Sequence, residues 1–266
     1  IPYNWSECII MKFLLHISPL ILIFNLCLPT EIQAKSNLPS SQAQLRFKSL
    51  TIDNGLSNNC VRSITQDSIG YMWFATANGL NKFDGFNITQ YKHHANDSLT
   101  ILANSVRVVF SDSKNNLWVG DKVGLNLYNR QFDNFTEFQH PALDTPIVNV
   151  RDIIEDNNGK VWIAAESGVY VYDLNTTDLT MYRNYAEDRI QFPSFYFNKI
   201  YADSKNNIWF AHQFRGLFKL DQNSQHLTIY EHDSEIETSI SDSRIERVYE
   251  DRKGRIWIGT LNNGIN

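Results

Sequence analysis

Five tryptophans recur at nearly constant spacing along the chain, 45, 44, 47 and 48 residues apart. An aspartate lies six residues before each tryptophan, and Gly or Asn lies three residues after that aspartate. A small residue follows each tryptophan by two positions, and a glycine follows it by six or seven. The pairs are Asp67 and Trp73, Asp112 and Trp118, Asp156 and Trp162, Asp203 and Trp209, and Asp251 and Trp257. Agreement at every one of these positions identifies a repeat, so the chain must fold as adjoining copies of one unit.

The residues around each tryptophan predict a β-hairpin. Aspartate at the first and Gly or Asn at the fourth of four residues is typical of a tight turn. Apolar runs flank that turn, for example Val106–Phe110 before it and Leu117–Val119 after it. The later glycine predicts a second turn, and an Asp or Asn such as Asp84 opens a third. Four short antiparallel strands in about 45 residues are typical of one propeller blade.

The fold class expected is therefore all-β, a β-propeller of four-stranded antiparallel blades. Aromatic residues make up 13% of the chain, which suits sheets that pack face to face. The propeller is predicted to span residues 46–266, with four full blades and the start of a fifth. The predicted blades are 60–91, 104–138, 147–182, 196–230 and an incomplete 243–266.

The amino-terminal residues predict an export signal. Met11 and Lys12 precede a mostly apolar run, Phe13–Leu28, which is interrupted by polar residues and is short for a membrane span. Residues 11–34 are predicted to be a signal peptide cut after Ala34, with 1–10 an upstream extension and 35–45 a linker. An uncleaved membrane anchor is the alternative. The exported part would retain Cys60 alone and could form no internal disulfide.

The repeat and its lead-in resemble the two-component regulator propeller repeat. The lead-in is Phe47–Asn59, and the first unit, Gln66–Gly85, continues the resemblance through its Asp, Trp and Gly-Leu positions. Blades two and four depart from the pattern by carrying Asn115 and Asn206 where Gly is usual. The resemblance implies a fragment of a seven-bladed propeller in the sensor region of a membrane signalling protein, with its output domains outside this chain.

The same resemblance implies a function and partners. The parent is expected to be a two-component histidine kinase, with a diguanylate cyclase as the alternative output. The chain itself is expected to have no catalytic residue, to lie on the periplasmic side of the bacterial inner membrane, and to connect to that membrane beyond its carboxyl end. Its ligand is expected to be an extracellular small molecule or oligosaccharide, and the full receptor a homodimer.

Two other propeller architectures remain alternatives. A closed five-bladed ring would use Leu45–Ile52 as its closing strand. A secreted glycan-active enzyme of the sialidase type would need an arginine cluster, and Arg62, Arg107 and Arg151 each lie eleven residues before a tryptophan. Asn198 and Glu246 occupy that position in the last two repeats. The arginines are also consistent with a structural role in bonding adjacent blades.

The candidate ligand residues lie on the variable loops of one rim. The turns between second and third strands, and the connections between blades, vary in sequence, and recognition commonly lies on variable loops of a rigid scaffold. The predicted ligand residues on these loops are Lys122, Glu166, His212, Gln213 and Arg215. Arg62, Arg107 and Arg151 are predicted to lie near the central channel.

Charge and histidine spacing argue against several other functions. The 24 Lys and Arg are dispersed and the net charge is −5, whereas a nucleic-acid-binding protein usually has a concentrated basic face. None of the seven histidines has the spacing of a zinc site. No nucleic acid, metal or cofactor is therefore expected to bind this region.

Overall fold

The computed structural model of the chain describes residues 47–182 and 192–266. Contacts within the chain separate Ile1–Leu50 from Thr51–Asn266. Residues 47–50 are the described part of the first unit and have no regular secondary structure. The predicted extension, signal peptide and linker (1–45) lie outside the described residues, as does most of the variable connection 183–193.

The second unit consists of a short 3-10 helix, Ile52–Asn54, followed in the described residues by eighteen β-strands. The strands are β1 (Val61–Gln66), β2 (Met72–Thr76), β3 (Gly79–Phe83), β4 (Ile88–Tyr91), β5 (Val106–Ser111), β6 (Leu117–Asp121), β7 (Leu125–Asn129), β8 (Asn134–Glu137), β9 (Val150–Glu155), β10 (Lys160–Ala165), β11 (Gly168–Asp173), β12 (Leu179–Tyr182), β13 (Phe197–Ala202), β14 (Asn207–His212), β15 (Leu217–Asp221), β16 (His226–Tyr230), β17 (Ile245–Glu250) and β18 (Ile256–Thr260).

These strands form antiparallel sheets in which sequential strands are neighbours. Sheets 1 to 4 are four-stranded and consist of β1–β4, β5–β8, β9–β12 and β13–β16, and sheet 5 consists of β17 and β18. The all-β propeller class is confirmed by this arrangement of short up-and-down sheets. Residues 47–51 contain no strand and Ile52 is helical, so the described part of Leu45–Ile52 lacks the closing strand that a five-bladed ring required.

The first strands of consecutive sheets contact one another in chain order, β1 with β5, β5 with β9, β9 with β13 and β13 with β17. We call the edge that these five strands form the inner edge. The second strands also contact the first strand of the following sheet, for example β2 with β5 and β6 with β9. Each sheet therefore packs its face on the next one along the chain.

An apolar layer fills each space between sheets, and one repeat tryptophan lies in each layer. Trp73, Trp118, Trp162 and Trp209 pack against residues of the following sheet and are at most 9% exposed. Trp257 in sheet 5 is 42% exposed. Burying so large a side chain removes much apolar surface from water, so these layers hold the array together.

The small residue after the tryptophan permits this close packing. A Cβ atom on Gly120 would lie 2.5 Å from a methyl carbon of Val150 in the next sheet and 2.7 Å from Val108. The small residue two positions after the tryptophan thus leaves room for the neighbouring sheet. A larger residue at Gly120 would push sheets 2 and 3 apart.

The repeat aspartate does more than open a turn. In sheet 1 its Oδ1 accepts hydrogen bonds from the backbone N–H groups of Ile69, Gly70 and Tyr71, and its Oδ2 accepts from the indole Nε1 of Trp73 at 2.9 Å. The same aspartate–indole bond occurs in the other four sheets at 2.8 to 3.1 Å. The six-residue spacing thus places a carboxylate where it pairs the only polar atom of a buried indole.

Candidate functional site

Loops of two kinds meet at one end of the sheets. The backbone N–H of Gly79, in the turn between β2 and β3, donates to the carbonyl of Asn104 in the connection to sheet 2 at 2.6 Å. Gly216 donates in the same way to Ser243 at 2.7 Å. We call this end the loop rim. The opposite end, where Arg130 joins Asn115 and Asp67, contains the aspartate turns.

The three predicted arginines occupy the same irregularity of the backbone. In every sheet the first strand has a β-bulge at its second residue, so that this residue has no partner in the register with the second strand. The bulge residues are Arg62, Arg107, Arg151, Asn198 and Glu246. A bulge redirects its side chain, which explains how these residues leave the alternating pattern of the strand. All five lie on the inner edge, near the loop rim.

Three of the predicted residues bond to a residue that sequence reasoning missed, Asn149. Its Oδ1 accepts from Nη1 of Arg107 at 2.5 Å, and its backbone N–H donates to the carbonyl of Lys122 at 3.1 Å. Its own carbonyl accepts from the N–H of Glu166 at 3.3 Å. Asn149 has φ 57°, a left-handed conformation that Asn tolerates better than most residues. Its signal was its place directly before a first strand, beside the bulge.

Glu166 completes this group by pairing with Arg151. Partial burial raises the pKa of Glu166, but the hydrogen bond and the charge of Arg151 outweigh it and hold that pKa below its ordinary value. Burial lowers the pKa of the Arg107 guanidinium, and the charges of Arg151 and Arg62 lower it further. Nη1 of Arg62 also lies 3.5 Å from the carbonyl oxygen of Val106, the residue before Arg107, so these bulge side chains of neighbouring sheets lie close together.

Arg62 bonds directly to the next sheet. Its Nη1 donates to Oγ of Ser105 at 2.8 Å and approaches the carbonyl of Val106 at 3.5 Å. Nδ2 of Asn198 makes the corresponding bond to the carbonyl of Ile245 at 2.9 Å. Bulge side chains therefore join adjacent sheets, which is the structural role that the sequence left open for the arginines.

The remaining predicted residues form a second group in the turn between β14 and β15. Nδ1 of His212 accepts from the N–H groups of Phe214 and Arg215, at 3.0 and 2.9 Å, while Arg215 lies 3.4 Å from a carboxylate oxygen of Glu231. Gln213 donates its N–H to the carbonyl of Tyr196. His212 is 1% exposed, and burial, with a smaller contribution from Arg215, lowers its pKa to about 4. His212 is thus a neutral acceptor that shapes the turn, as Asp121 does in sheet 2.

Two exposed aromatic residues lie beside this second group and were missed from the sequence. Tyr196 and Phe214 are 48% and 58% exposed, and their ring centroids are 6.4 Å apart. Exposed aromatic side chains on a polar rim commonly mark a binding surface. The available signal was their position within the variable loops rather than in a strand.

Other candidate features do not coincide with these residues. Two open clefts of about 360 and 230 Å³ lie beside the connections that follow sheets 1 and 2, and neither is lined by a predicted ligand residue. Within residues 47–182 and 192–266, no group of three His, Cys, Asp or Glu side chains could hold a metal ion. No helix among the described residues is long and apolar enough to cross a membrane.

Sequence comparison agrees with the repeat geometry. Residues 55–78 and 239–262 match the family described as two component regulator propeller. These stretches contain the aspartate–indole bonds of sheets 1 and 5. The segments that form sheets 1 and 5 thus match the two-component regulator propeller repeat. The three sheets between the matched stretches repeat the same bond, and therefore the same unit.

Longer proteins are similar to parts of this chain. The chain is 42% identical over 65 residues to histidine kinase P4 of Formosa agariphila, a match that covers 24% of this chain and 5% of the kinase. The extracellular domain of the hybrid two component system BT4673 from B. thetaiotaomicron is similar in structure, with a TM-score of 0.64 and 20% identity. That similarity covers 77% of this chain and 26% of the solved one.

The propeller fold also occurs in an enzyme. Virginiamycin B lyase from Staphylococcus aureus has a TM-score of 0.54 and 17% identity to the chain, over 77% of this chain and 68% of the lyase. At such identity the likeness concerns the fold alone. The function of this propeller region must therefore be argued from its own side chains.

Proposed function

We propose that the chain is the ligand-sensing propeller region of an exported signal-transduction receptor, with a histidine kinase as its output. The observation that carries this proposal is the group of polar side chains around Asn149 at the loop rim, on a scaffold of two-component regulator propeller repeats. A diguanylate cyclase output would serve the same sensing region. The proposed parent is a homodimer on the periplasmic side of the inner membrane.

The loop rim suits recognition because its polar groups are held by rigid sheets. Asn149 and Glu166 are tied to each other and to the turn at Lys122 through backbone bonds, which fixes the loops before any ligand arrives. Preorganised loops lose less conformational entropy on binding. The exposed pair Tyr196 and Phe214 adds apolar surface beside the polar residues. The proposed ligand is an extracellular small molecule or oligosaccharide.

Signalling would require that the ligand prefer one of two arrangements of the receptor. A ligand shifts a conformational equilibrium only by its difference in affinity for the two states. Loops that belong to different sheets, such as those of Glu166 and Lys122, offer contacts that change when sheets or subunits shift. The proposed output is a change in kinase activity across the membrane.

A paired binding and turnover assay tests this proposal. The full chain is screened against an array of glycans, and each glycan that binds is then incubated with the chain and analysed for chemical change. Saturable binding with the ligand recovered intact is expected. Release of a cleaved product at a rate that depends on the chain would overturn the sensing role and favour the catalytic alternative.

The second arm uses the complete receptor in its membrane. The bound glycan should change kinase autophosphorylation, and Glu166→Gln should weaken that response because it removes the ion pair with Arg151. Asp178→Asn, in the described turn region at the opposite end of sheet 3, is the matched control. An unaltered response in Glu166→Gln would remove this residue from the proposed site.

A further inference from the structure

The bulge residues of the five first strands have an uneven charge. Sheets 1 to 3 place Arg62, Arg107 and Arg151 at the bulge, whereas sheets 4 and 5 place a neutral Asn198 and an acidic Glu246 there. The positive charge is therefore concentrated on one part of the inner edge. The chain as a whole has a net charge of −5, so the charge of this cluster is opposite in sign to that of the protein.

The positive charge of the cluster is only partly balanced. Among the described residues, an ion pair with a carboxylate is found for Arg151 and for neither of the other two arginines. Arg62 and Arg107 donate instead to the neutral oxygens of Ser105 and Asn149. The Nε atom of Arg151 is buried and has no hydrogen-bond partner in the described part of the chain. The inner edge therefore has guanidinium N–H groups that are not paired with a carboxylate among the described residues.

Joining adjacent sheets does not explain the charge. Asn198 makes the sheet-to-sheet bond with a neutral amide, which donates to the carbonyl of Ile245 at 2.9 Å. Arg62 reaches the corresponding carbonyl, that of Val106, at 3.5 Å. A neutral donor thus suffices for this structural role, and guanidinium groups at neighbouring bulges add a like-charge repulsion that the role does not require.

We propose that Arg62 and Arg107 bind an anionic group, a carboxylate or a sulfate, of the ligand that the loop rim recognises. Guanidinium groups bind both kinds of anion through paired hydrogen bonds. The bound anion would also offset the like charge of Arg62 and Arg107 at neighbouring bulges. This inference rests on the proposed sensing function and adds the chemical class of its ligand.

The test measures binding of three probes to the full chain by isothermal titration calorimetry at about 10 mM salt, where screening is weak. The probes are inorganic sulfate, digalacturonate and the neutral disaccharide galactobiose. Saturable binding of sulfate or digalacturonate is expected, and the two anions distinguish a sulfated ligand from a uronate ligand. Galactobiose should bind at least roughly tenfold more weakly than the better anion.

The variants are designed from the structure. Arg62→Gln and Arg107→Gln keep a neutral donor, as Asn198 does, and together should weaken the anion affinity roughly tenfold or more. Arg252→Gln, an exposed position in the aspartate turn of sheet 5, removes one positive charge, as each of the two substitutions does singly, and should change the affinity less than about twofold. If the Gln variants fail to fold, Arg62→Lys and Arg107→Lys keep the charge but lose the paired hydrogen bonds, so together they should weaken the anion affinity more than Arg252→Gln does; undiminished binding in them would overturn the inference.

Three results of these titrations would overturn the inference. These are no binding of either anion, equal loss of binding in Arg252→Gln, and undiminished anion binding in the folded Gln variants. A neutral glycan that binds the chain and alters kinase output, with the Gln variants unaffected, would also overturn it. That last result would leave the sensing function standing, so the two proposals fail separately.

Discussion

Replacing Asp67 with Asn tests whether the repeat carboxylate holds the array together. Oδ1 of Asp67 accepts three backbone N–H bonds, and Oδ2 accepts from the indole of Trp73 and from Arg130, each at 2.9 Å. Asn can preserve the three turn bonds through its Oδ1. Its Nδ2 would then face two donors, and the buried indole N–H would lose its acceptor.

The magnitude follows from these losses. Trp73 is fully buried, and removing the acceptor of one buried donor costs about 1 to 3 kcal/mol. The ion pair of Asp67 with Arg130 is partly buried, since 24% of the arginine side chain is exposed, and adds about 1 kcal/mol. A loss of about 3 kcal/mol is expected, against a total stability of roughly 5 to 15 kcal/mol.

Thermal and urea unfolding followed by tryptophan fluorescence measure this loss. For a domain of this size, about 3 kcal/mol corresponds to a fall in Tm of roughly 6 to 12 °C. Because repeat arrays can unfold unit by unit, amide exchange in β2 gives a second, local measurement. Exchange in β2 should accelerate more than exchange in β14.

The matched control is Asp251→Asn in sheet 5. Asp251 makes the same bond to Trp257, but that tryptophan is 42% exposed and water can replace the lost acceptor. The control should shift Tm much less than the Asp67 variant. Equal shifts in the two variants, or a shift below about 2 °C for Asp67→Asn, would refute the view that the buried aspartate–indole bond stabilises the array.

Three further predictions concern single positions. In the folded protein the pKa of His212 is depressed to about 4, so protonation destabilises the fold by roughly 3 kcal/mol as pH falls from about 6.5 to about 4. His212→Asn keeps an acceptor for the turn and should remove this loss of stability. Urea unfolding at both pH values measures it, and an unchanged pH dependence contradicts the prediction. Gly216→Ala should lower the stability by roughly 2 kcal/mol or more, since φ is 78° and a Cβ would lie 1.9 Å from the carbonyl oxygen of Tyr230. Gly85→Ala is the control: φ at Gly85 is also positive but a Cβ there meets no atom, so this variant should lower Tm less. Lys82→Met should lower stability by about 1 to 2 kcal/mol in urea unfolding, because Lys82 lies over four aromatic rings and pairs with Asp133 at 2.9 Å; no change would show that this cluster contributes little.

The local parts of the fold were predictable because they depend on residues close in sequence. Asp67 and Gly70 define a turn through their own backbone preferences, and the flanking apolar runs define strands. The hydrogen bond between the aspartate and the indole was not predicted, although the constant six-residue spacing between Asp67 and Trp73 indicated that the two residues act together. Sequence reasoning assigned the carboxylate to the turn alone, whereas one oxygen serves the turn and the other serves the indole.

The sequence indicated on which loops the candidate site lies, but only some of the residues that form it. The variable loops indicated Lys122, Glu166 and the turn at His212, and the spacing before tryptophan indicated the three arginines. Asn149 was not predictable, because its role depends on contacts with Arg107 and Glu166, which lie 42 residues before it and 17 after it. His212 was assigned to ligand binding, but its buried ring accepts the N–H groups of Phe214 and Arg215, so it also shapes its own turn.

By itself, the sequence determined the repeating unit, the order of its strands and the positions of its turns, since each of these depends on short-range backbone preference and on alternation along a strand. The tertiary structure decided which side chains meet across sheets. Bulge side chains such as Arg62 and Asn198 bond to the neighbouring sheet, and this can be seen only when two sheets are packed together. The cluster of Arg62, Arg107 and Arg151 is therefore a property of packing, built from residues that the repeat spacing had already aligned.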